Sequence, residues 1–503
     1  MKLSNSDNAV MNRVPIDSIT APSSPHPAVA VFDNTYSCTL AFLNSLGSHS
    51  VPVHVYGSSL LAATRWSRFC SRYQRCPPIN EPAKFLPWLR ERIRAGEITR
   101  VAPTSDLIAF YLAELREEFS AEVQRTIPIL TEIENCLIKS RFTAVCTAHG
   151  IATPETCAPA DIDAALAFAQ RVGYPLIIKA KSHLAVGMAE RGGLIETPDQ
   201  LRQQFYPYTM EHGHEYIAER YPELRLPLLQ RFIPSATQCV YSVSGFKDAR
   251  LGIVSAALSY KSEQWPQKVG TSTHQVGCAD HRLLQAGLLA VDKLLSCGIF
   301  ELELLVDGDQ LLAIDLNPRS FGFMSLDIAR GSDLPWLWFQ STCNAVAEHD
   351  LARELLPMEC RQPIPFYISR LIMLIRGPNR GATAMKLWRE LSKPWVSMTG
   401  QWGDPVPKLS VMLALFRHPR SLLRPYWNGH HANVRAYLDQ QPMMDHAKPR
   451  KIKSPPLLGT MPKVNAAMVA LEHLQTGAHP KVIITVRSTA LRPDRSGASV
   501  NPP

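Results

Sequence analysis

Apolar residues first gather at positions 28–32, Ala-Val-Ala-Val-Phe, a continuous run that ends at Asp33-Asn34. A stretch of helical period follows over 37–46, then a second β-rich run over 51–56, so the pattern predicts strand, helix, strand. Such a βαβ unit implies a parallel sheet. Residues 100–103 predict another strand, which ends at Thr104-Ser105-Asp106, and a helix is predicted over 107–118. Together these elements make a doubly wound α/β domain over residues 27–118. Asp33 and the 104–106 loop fall at the carboxyl ends of its strands, where such sheets take ligands, although acids there also cap the next helix.

From residue 132 the texture changes. Helices are predicted over 132–147 and 162–171, and Gly173-Tyr174-Pro175 launches a strand at 176–179. Further strands are expected at 226–232, 238–244 and 249–258, followed by a helix over 281–296 and a hairpin over 300–316. Residues 119–345 therefore read as an α+β domain with antiparallel strands. Residues 346–440 read as a mainly helical extension, with an aromatic, turn-rich segment marked by Trp388, Trp395, Trp402 and Asp404-Pro405-Val406-Pro407. The leader, 1–26, and the Pro-rich tail, 441–503, carry little periodicity and are expected to be disordered.

The hairpin carries the densest chemistry. In Phe300-Glu301-Leu302-Glu303-Leu304-Leu305 the alternation puts Glu301, Glu303 and Leu305 on one face; on the return strand Ala313, Asp315 and Asn317 share a face. Asp307-Gly308-Asp309 is a turn signal. A two-residue turn would put Glu303 and Asp315 on opposite faces, whereas an odd-length loop or a compensating bulge would bring them together. Two carboxylates and the Asn317 amide oxygen are hard oxygen donors of the kind magnesium takes, with phosphates and water completing its shell. Arg319, held two residues on by Pro318, can meet a phosphoryl oxygen bidentately. The competing reading is an edge hairpin with a solvated acidic face.

Composition narrows the class. Hydrophobic residues make up 46% and charged residues 19%, the balance of a globular chain long enough for several packed units. The net charge of +9 is concentrated in residues 441–503, where nine Lys or Arg face three Asp or Glu, so a basic tail explains it better than a nucleic-acid groove. No apolar run approaches the roughly 20 residues of a membrane span. The N-terminal residues lack a secretory h-region, and a cytoplasmic location is expected. The 11 Cys include no C-x-x-C pair, against a zinc site or a disulfide framework.

Glu303, then Asp315-Leu316-Asn317-Pro318-Arg319 after a spacing of twelve residues, resembles the metal and phosphate signature of the ATP-grasp superfamily. Lys139 in Leu137-Ile138-Lys139 and Lys179 at the end of Gly173-Tyr174-Pro175-Leu176-Ile177-Ile178-Lys179 resemble the family's two nucleotide lysines. Leu229-Gln230-Arg231-Phe232-Ile233-Pro234 resembles the hinge strand whose backbone pairs with adenine. Lys181-Ser182-His183 with Gly187 and Gly192-Gly193 resembles the mobile phosphate lid, and Lys268-Val269-Gly270-Thr271-Ser272-Thr273 the substrate-side loop. Two departures stand out: Thr237-Gln238 replaces the acid that often holds the ribose, and the second metal acid is Asp315 where Glu is common.

The resemblance, over residues 28–345, is to the carboxylate-amine ligase or predicted carboligase branch, a pre-ATP-grasp α/β domain followed by an ATP-grasp module. It implies ATP, and magnesium or manganese, as cofactors. Lys139, Lys179 and the segment Gln230, Arg231, Phe232 and Ile233 would hold the nucleotide, Glu303, Asp315 and Asn317 the metal, and Arg319 the transferring phosphoryl group. The implied partners are a small-molecule carboxylate and an amine, with no nucleic acid and no membrane; the assembly state stays open, with a dimer to be considered. Arg250 and Lys268 are candidate carboxylate clamps by charge and position. A bicarbonate-using carboxylase or carbamoyl-phosphate-type enzyme, and a non-catalytic nucleotide-binding protein, remain alternatives.

Overall fold

The computed structural model describes residues 26–407, except 34–35, 60–61, 183, 185–192, 206–214, 238–239, 266–270, 347–354, 400–402 and most of 363–393. The expectations for residues 1–25 and 441–503, most of the 346–440 extension, His183, Gly187, Gly192, Gln238, Lys268, Gly270 and Trp402 lie outside the described residues.

The N-terminal unit opens as the pattern predicts: β1 (Val29–Phe32), α1 (Tyr36–Ser48) and β2 (Val53–Gly57), with β1 and β2 parallel. A third strand, β3 (Cys70–Arg75), extends the sheet in the order β1-β2-β3. The strand expected at 100–103 is reduced to a parallel bridge between Val101 and Ala30, because the Thr104 N–H that would carry the ladder on turns back to Ala102 C=O at 2.9 Å. Then follow α2 (Pro82–Arg94) and α3 (Asp106–Glu114), the latter capped by the Ser105 hydroxyl, which accepts from Ile108 N–H at 3.3 Å.

After the short α4 (Ala121–Gln124), the single helix expected over 132–147 is two, α5 (Leu130–Leu137) and α6 (Lys139–Ala148). The break is at Ile138, which is extended (φ −98°, ψ 101°), and Lys139 N–H donates to Lys181 C=O at 2.8 Å. This junction sets Lys139 at a helix start beside the next lobe.

That lobe is a four-stranded sheet in the order β4-β7-β5-β6, built from β4 (Thr156–Cys157), β5 (Leu176–Lys179), β6 (Gly193–Ile195) and β7 (Leu228–Arg231). Helices α7 (Ile162–Val172) and α8 (Pro198–Phe205) bury Ala165, Phe168, Leu201 and Phe205 against Leu176 and Ile178. Gly173 stops α7 at φ +87°, a conformation that favours glycine. A short helix, α9 (Glu215–Arg220), leads back to β7.

The second lobe is a seven-stranded sheet, β12-β11-β8-β9-β10-β13-β14. Its members are β8 (Val240–Asp248), β9 (Gly252–Trp265), β10 (Thr271–Cys278), β11 (Gly298–Asp307), β12 (Gln310–Asn317), β13 (Glu359–Arg361) and β14 (Trp395–Ser397). Residues 271–273, expected in a loop, belong to β10, and the expected helical extension also supplies β13 and β14 to this sheet. Helix α10 (His281–Leu294) covers one face, packing Leu288 and Val291 with Phe300, Leu302 and Leu304. After β12, α11 (Met324–Arg330) and α12 (Leu334–Thr342) join α1 in a core shared with the N-terminal unit.

Candidate functional site

Along β11 the residues opposite the α10 face are Ile299, Glu301, Glu303 and Leu305. Ile299 is buried in the core shared with the N-terminal unit, and Leu305 in a small cluster with Ile233, Val240 and Leu312. The two acids are thus confined to a polar band between two apolar ends. The turn is the two-residue Gly308-Asp309, with Gly308 at φ +60°, and Asp307 pairs Gln310. By itself that register would separate the acids. A bulge restores them: Leu304 pairs Ala313 but Glu303 pairs Asp315, so Ile314 is the extra residue, and Glu301 then lies opposite Asn317.

The band is lined with cations. Lys139 Nζ donates to Asp315 Oδ1 at 2.7 Å, and Lys261 Nζ, from β9, to Glu303 Oε1 at 3.2 Å. The side chains of these lysines are only 9% and 10% exposed, so both pairs are largely out of water. On β5, Leu176 and Ile178 face the lobe's core and Lys179 faces away from it. Its Nζ donates to Gln230 Oε1 at 2.9 Å, and Gln230 Nε2 donates to Thr156 Oγ1 at 2.9 Å. Removal from water and, secondly, the neighbouring Lys139 ammonium bring the Lys179 pKa down to about 8. Burial, and then the charge of Glu303, push the Glu301 carboxyl well above the ordinary range.

Arg319 sits at the end of the band. Its Nε and Nη2 donate to Asp106 at 2.6 and 3.3 Å, its Nη1 to Ser320 C=O at 2.7 Å, and Nη2 also to Asn317 Oδ1 at 3.0 Å. Burial opposes its charge, but the Asp106 carboxylate outweighs that and holds the guanidinium pKa above its ordinary value. Asp106 begins α3, so this ion pair ties the N-terminal unit to the hairpin.

In the hinge segment the structure spends several groups on the fold. Arg231 N–H donates to Glu155 C=O at 2.8 Å, its guanidinium to Asp307 at 2.8 Å, and Ile233 C=O accepts from Ala236 N–H at 3.0 Å. A base edge along Gln230, Arg231, Phe232 and Ile233 has to use other groups of that segment.

The structure therefore gathers Lys139, Glu303, Asp315, Asn317 and Arg319 on one surface, with Lys179 and Gln230 on the facing lobe. Arg250 lies elsewhere, donating to Asn344 Oδ1 at 2.9 Å. Lys261 and Asp106 contact these candidate residues but carry no local signature: one is a lysine inside a long alternating strand, the other reads as a helix-start acid. Among the described residues no group of three or more His, Cys, Asp or Glu forms a complete metal cage. Glu303, Asp315 and Asn317 could offer two carboxylates and an amide oxygen, a set that would suit magnesium keeping water and phosphate ligands.

No protein-family model and no curated protein matches the sequence. Solved structures do resemble the fold. Biotin carboxylase from Campylobacter jejuni, in a β-γ-ATP complex, superposes with a TM-score of 0.50 at 15% identity, over 65% of this chain and 73% of that one. The biotin carboxylase domain of 2-oxoglutarate carboxylase from Hydrogenobacter thermophilus, with MgADP, ADP and bicarbonate, gives 0.50 at 13% identity, over 65% and 72%. L-amino acid ligase from Bacillus licheniformis gives 0.46 at 14%, over 65% and 76%. The likeness to the two biotin carboxylase structures, at such identity, is one of fold: the chain has the ATP-grasp fold.

Proposed function

We propose that the protein is an ATP- and magnesium-dependent, ADP-forming ligase that activates a carboxylate as an acyl phosphate and transfers it to an amine. The observation that carries this reading is the bulged register that puts Glu303 opposite Asp315, with Lys139 2.7 Å from Asp315.

Glu303, Asp315 and Asn317 would hold magnesium, which when bound neutralises phosphate charge and orients the triphosphate. Lys139 and Lys179 would then bind phosphate oxygens, Lys139 exchanging its carboxylate partner for the nucleotide. Gln230, Arg231, Phe232 and Ile233 would face the base. Arg319 would stabilise the transferring phosphoryl group with the donor capacity left beyond Asp106. A substrate carboxylate oxygen attacks the γ-phosphorus and ADP leaves. The amine nitrogen then attacks the acyl carbon, inorganic phosphate leaves, and the amine's surplus proton passes to solvent. Positioning and charge neutralisation supply the catalysis, and no side-chain nucleophile is required.

The test is ADP release from the full chain, screened over carboxylic acids and amino acids, singly and in pairs, with bicarbonate as a separate arm. Release only when acid and amine are both present supports ligation. Release with bicarbonate alone moves the protein to the carboxylase alternative, and nucleotide binding without release under every condition moves it to the non-catalytic one.

A further inference from the structure

A directional chain of hydrogen bonds runs through the candidate site from one unit to the other. Asp106 accepts from Arg319; Arg319 Nη2 donates to Asn317 Oδ1 at 3.0 Å; Asn317 Nδ2 donates to Glu301 Oε2 at 3.0 Å; and Ser242 Oγ donates to Glu301 Oε1 at 2.8 Å. Glu301 and Ser242 are buried, and the Arg319 and Asp106 side chains are 17% and 14% exposed. The chain has one polarity. Turning the Asn317 amide over would set its NH2 against a guanidinium and its oxygen against a carboxylate, two donors together and two acceptors together. The Asn317 oxygen is thus aimed by its neighbours, and its second lone pair is what a cation would meet.

We propose that Asp106 and Glu301 are positioning residues for the cation: Asp106 anchors and neutralises Arg319, and Glu301 holds the amino end of Asn317, so the ligand oxygen is oriented by a residue of the other unit. The inference rests on the reading of Asn317 as a cation ligand. Two effects follow from losing Asp106. Arg319 is no longer fixed against Asn317, and its charge, with its bonded carboxylate gone, repels the cation more strongly while attracting phosphate. Glu301 acts through geometry. A glutamine there can still accept from Asn317 Nδ2 while its own NH2 donates to the Ser242 hydroxyl, so the orientation survives; an alanine cannot.

The experiment uses the full chain with Mn2+ as probe, and measures Mn2+ binding by electron paramagnetic resonance in the presence of ADP and ADP binding by calorimetry without metal. Asp106→Asn is expected to weaken Mn2+ about tenfold, with metal-free ADP bound as well as before or more tightly. Glu301→Ala is expected to weaken Mn2+ by a similar factor and Glu301→Gln to restore it. Unchanged Mn2+ affinity in both folded variants, or an equal loss of metal-free ADP binding, overturns the proposal. If the unsubstituted chain binds neither Mn2+ nor ADP, the functional reading fails, and the relay is judged by denaturation alone. Asp106→Asn and Glu301→Ala should then be non-additive by at least about threefold in the unfolding constant, and strict additivity sinks it.

Discussion

Beside the hairpin, Lys179 is a lysine whose charge is easily lost. Its pKa near 8 is below that of a free lysine, so its ammonium form is disfavoured by folding. Its share of stability is therefore least below pH 8 and rises as pH passes from about 8 towards the unfolded value of about 10.4. Under the proposed function, phosphate binding would run the other way. ADP affinity should fall as pH rises above about 8, and binding at that pH should take up a proton, seen as buffer-dependent calorimetric heat; Lys179→Gln should flatten both. Asp315 makes a sharper residue-scale prediction. Asp315→Ala should lower ADP release with the true co-substrates about 10²- to 10³-fold, as expected for losing one preorganised electrostatic contact. Unchanged release would remove the catalytic assignment.

At the scale of elements, the bulge in β12 decides which face the acids occupy. Deleting Ile314 alone sets Asp315 next to Ala313 and so still opposite Glu303, but deleting Ala313 with it should pair Asp315 with Leu304, turn Asp315 and Asn317 away from Glu303, abolish Mn2+-dependent ADP binding and expose Leu316, which is fully buried. Mn2+ titration with circular dichroism checks this, and retained binding would mean that the register is not what aligns the ligands. Gly245 on β8 has no room for a methyl group: a Cβ would lie 2.4 Å from Ser255 C=O and 2.7 Å from Phe300 Cζ. Gly245→Ala should destabilise by about 1–3 kcal/mol in denaturant titration. The hairpin and its acidic face were legible because alternation and turn chemistry are local. The bulge was legible only as a condition, since nothing in Leu312-Ala313-Ile314-Asp315 marks the extra residue. β3, β10, β13 and β14 were not legible: their pairing is settled by neighbours distant in sequence. The break at Ile138 was hidden for the same reason, its reward being a hydrogen bond to Lys181.

At the scale of the whole molecule, the domain boundary expected between residues 118 and 119 is crossed by a shared core. Val29, Val31, Leu40 and Phe42 share one cluster with Phe246, Ile299, Phe321 and Trp338. Asp333 adds polar ties, accepting from Ser45 Oγ at 2.5 Å with His49 Nε2 3.2 Å away. A chain beginning at residue 119 would bare that apolar surface, and should bind a hydrophobic dye and associate on size-exclusion chromatography. A monodisperse fragment with native near-ultraviolet dichroism would show the units to be independent. The cleft between the lobes has a different consequence. Because Lys139 and Lys261 already face Asp315 and Glu303, a nucleotide bound as proposed would meet a nearly balanced set of opposite charges, around which few small ions would condense. Metal nucleotide entering would exchange partners and displace little salt, so its dissociation constant should vary shallowly with ionic strength compared with that of an open basic groove.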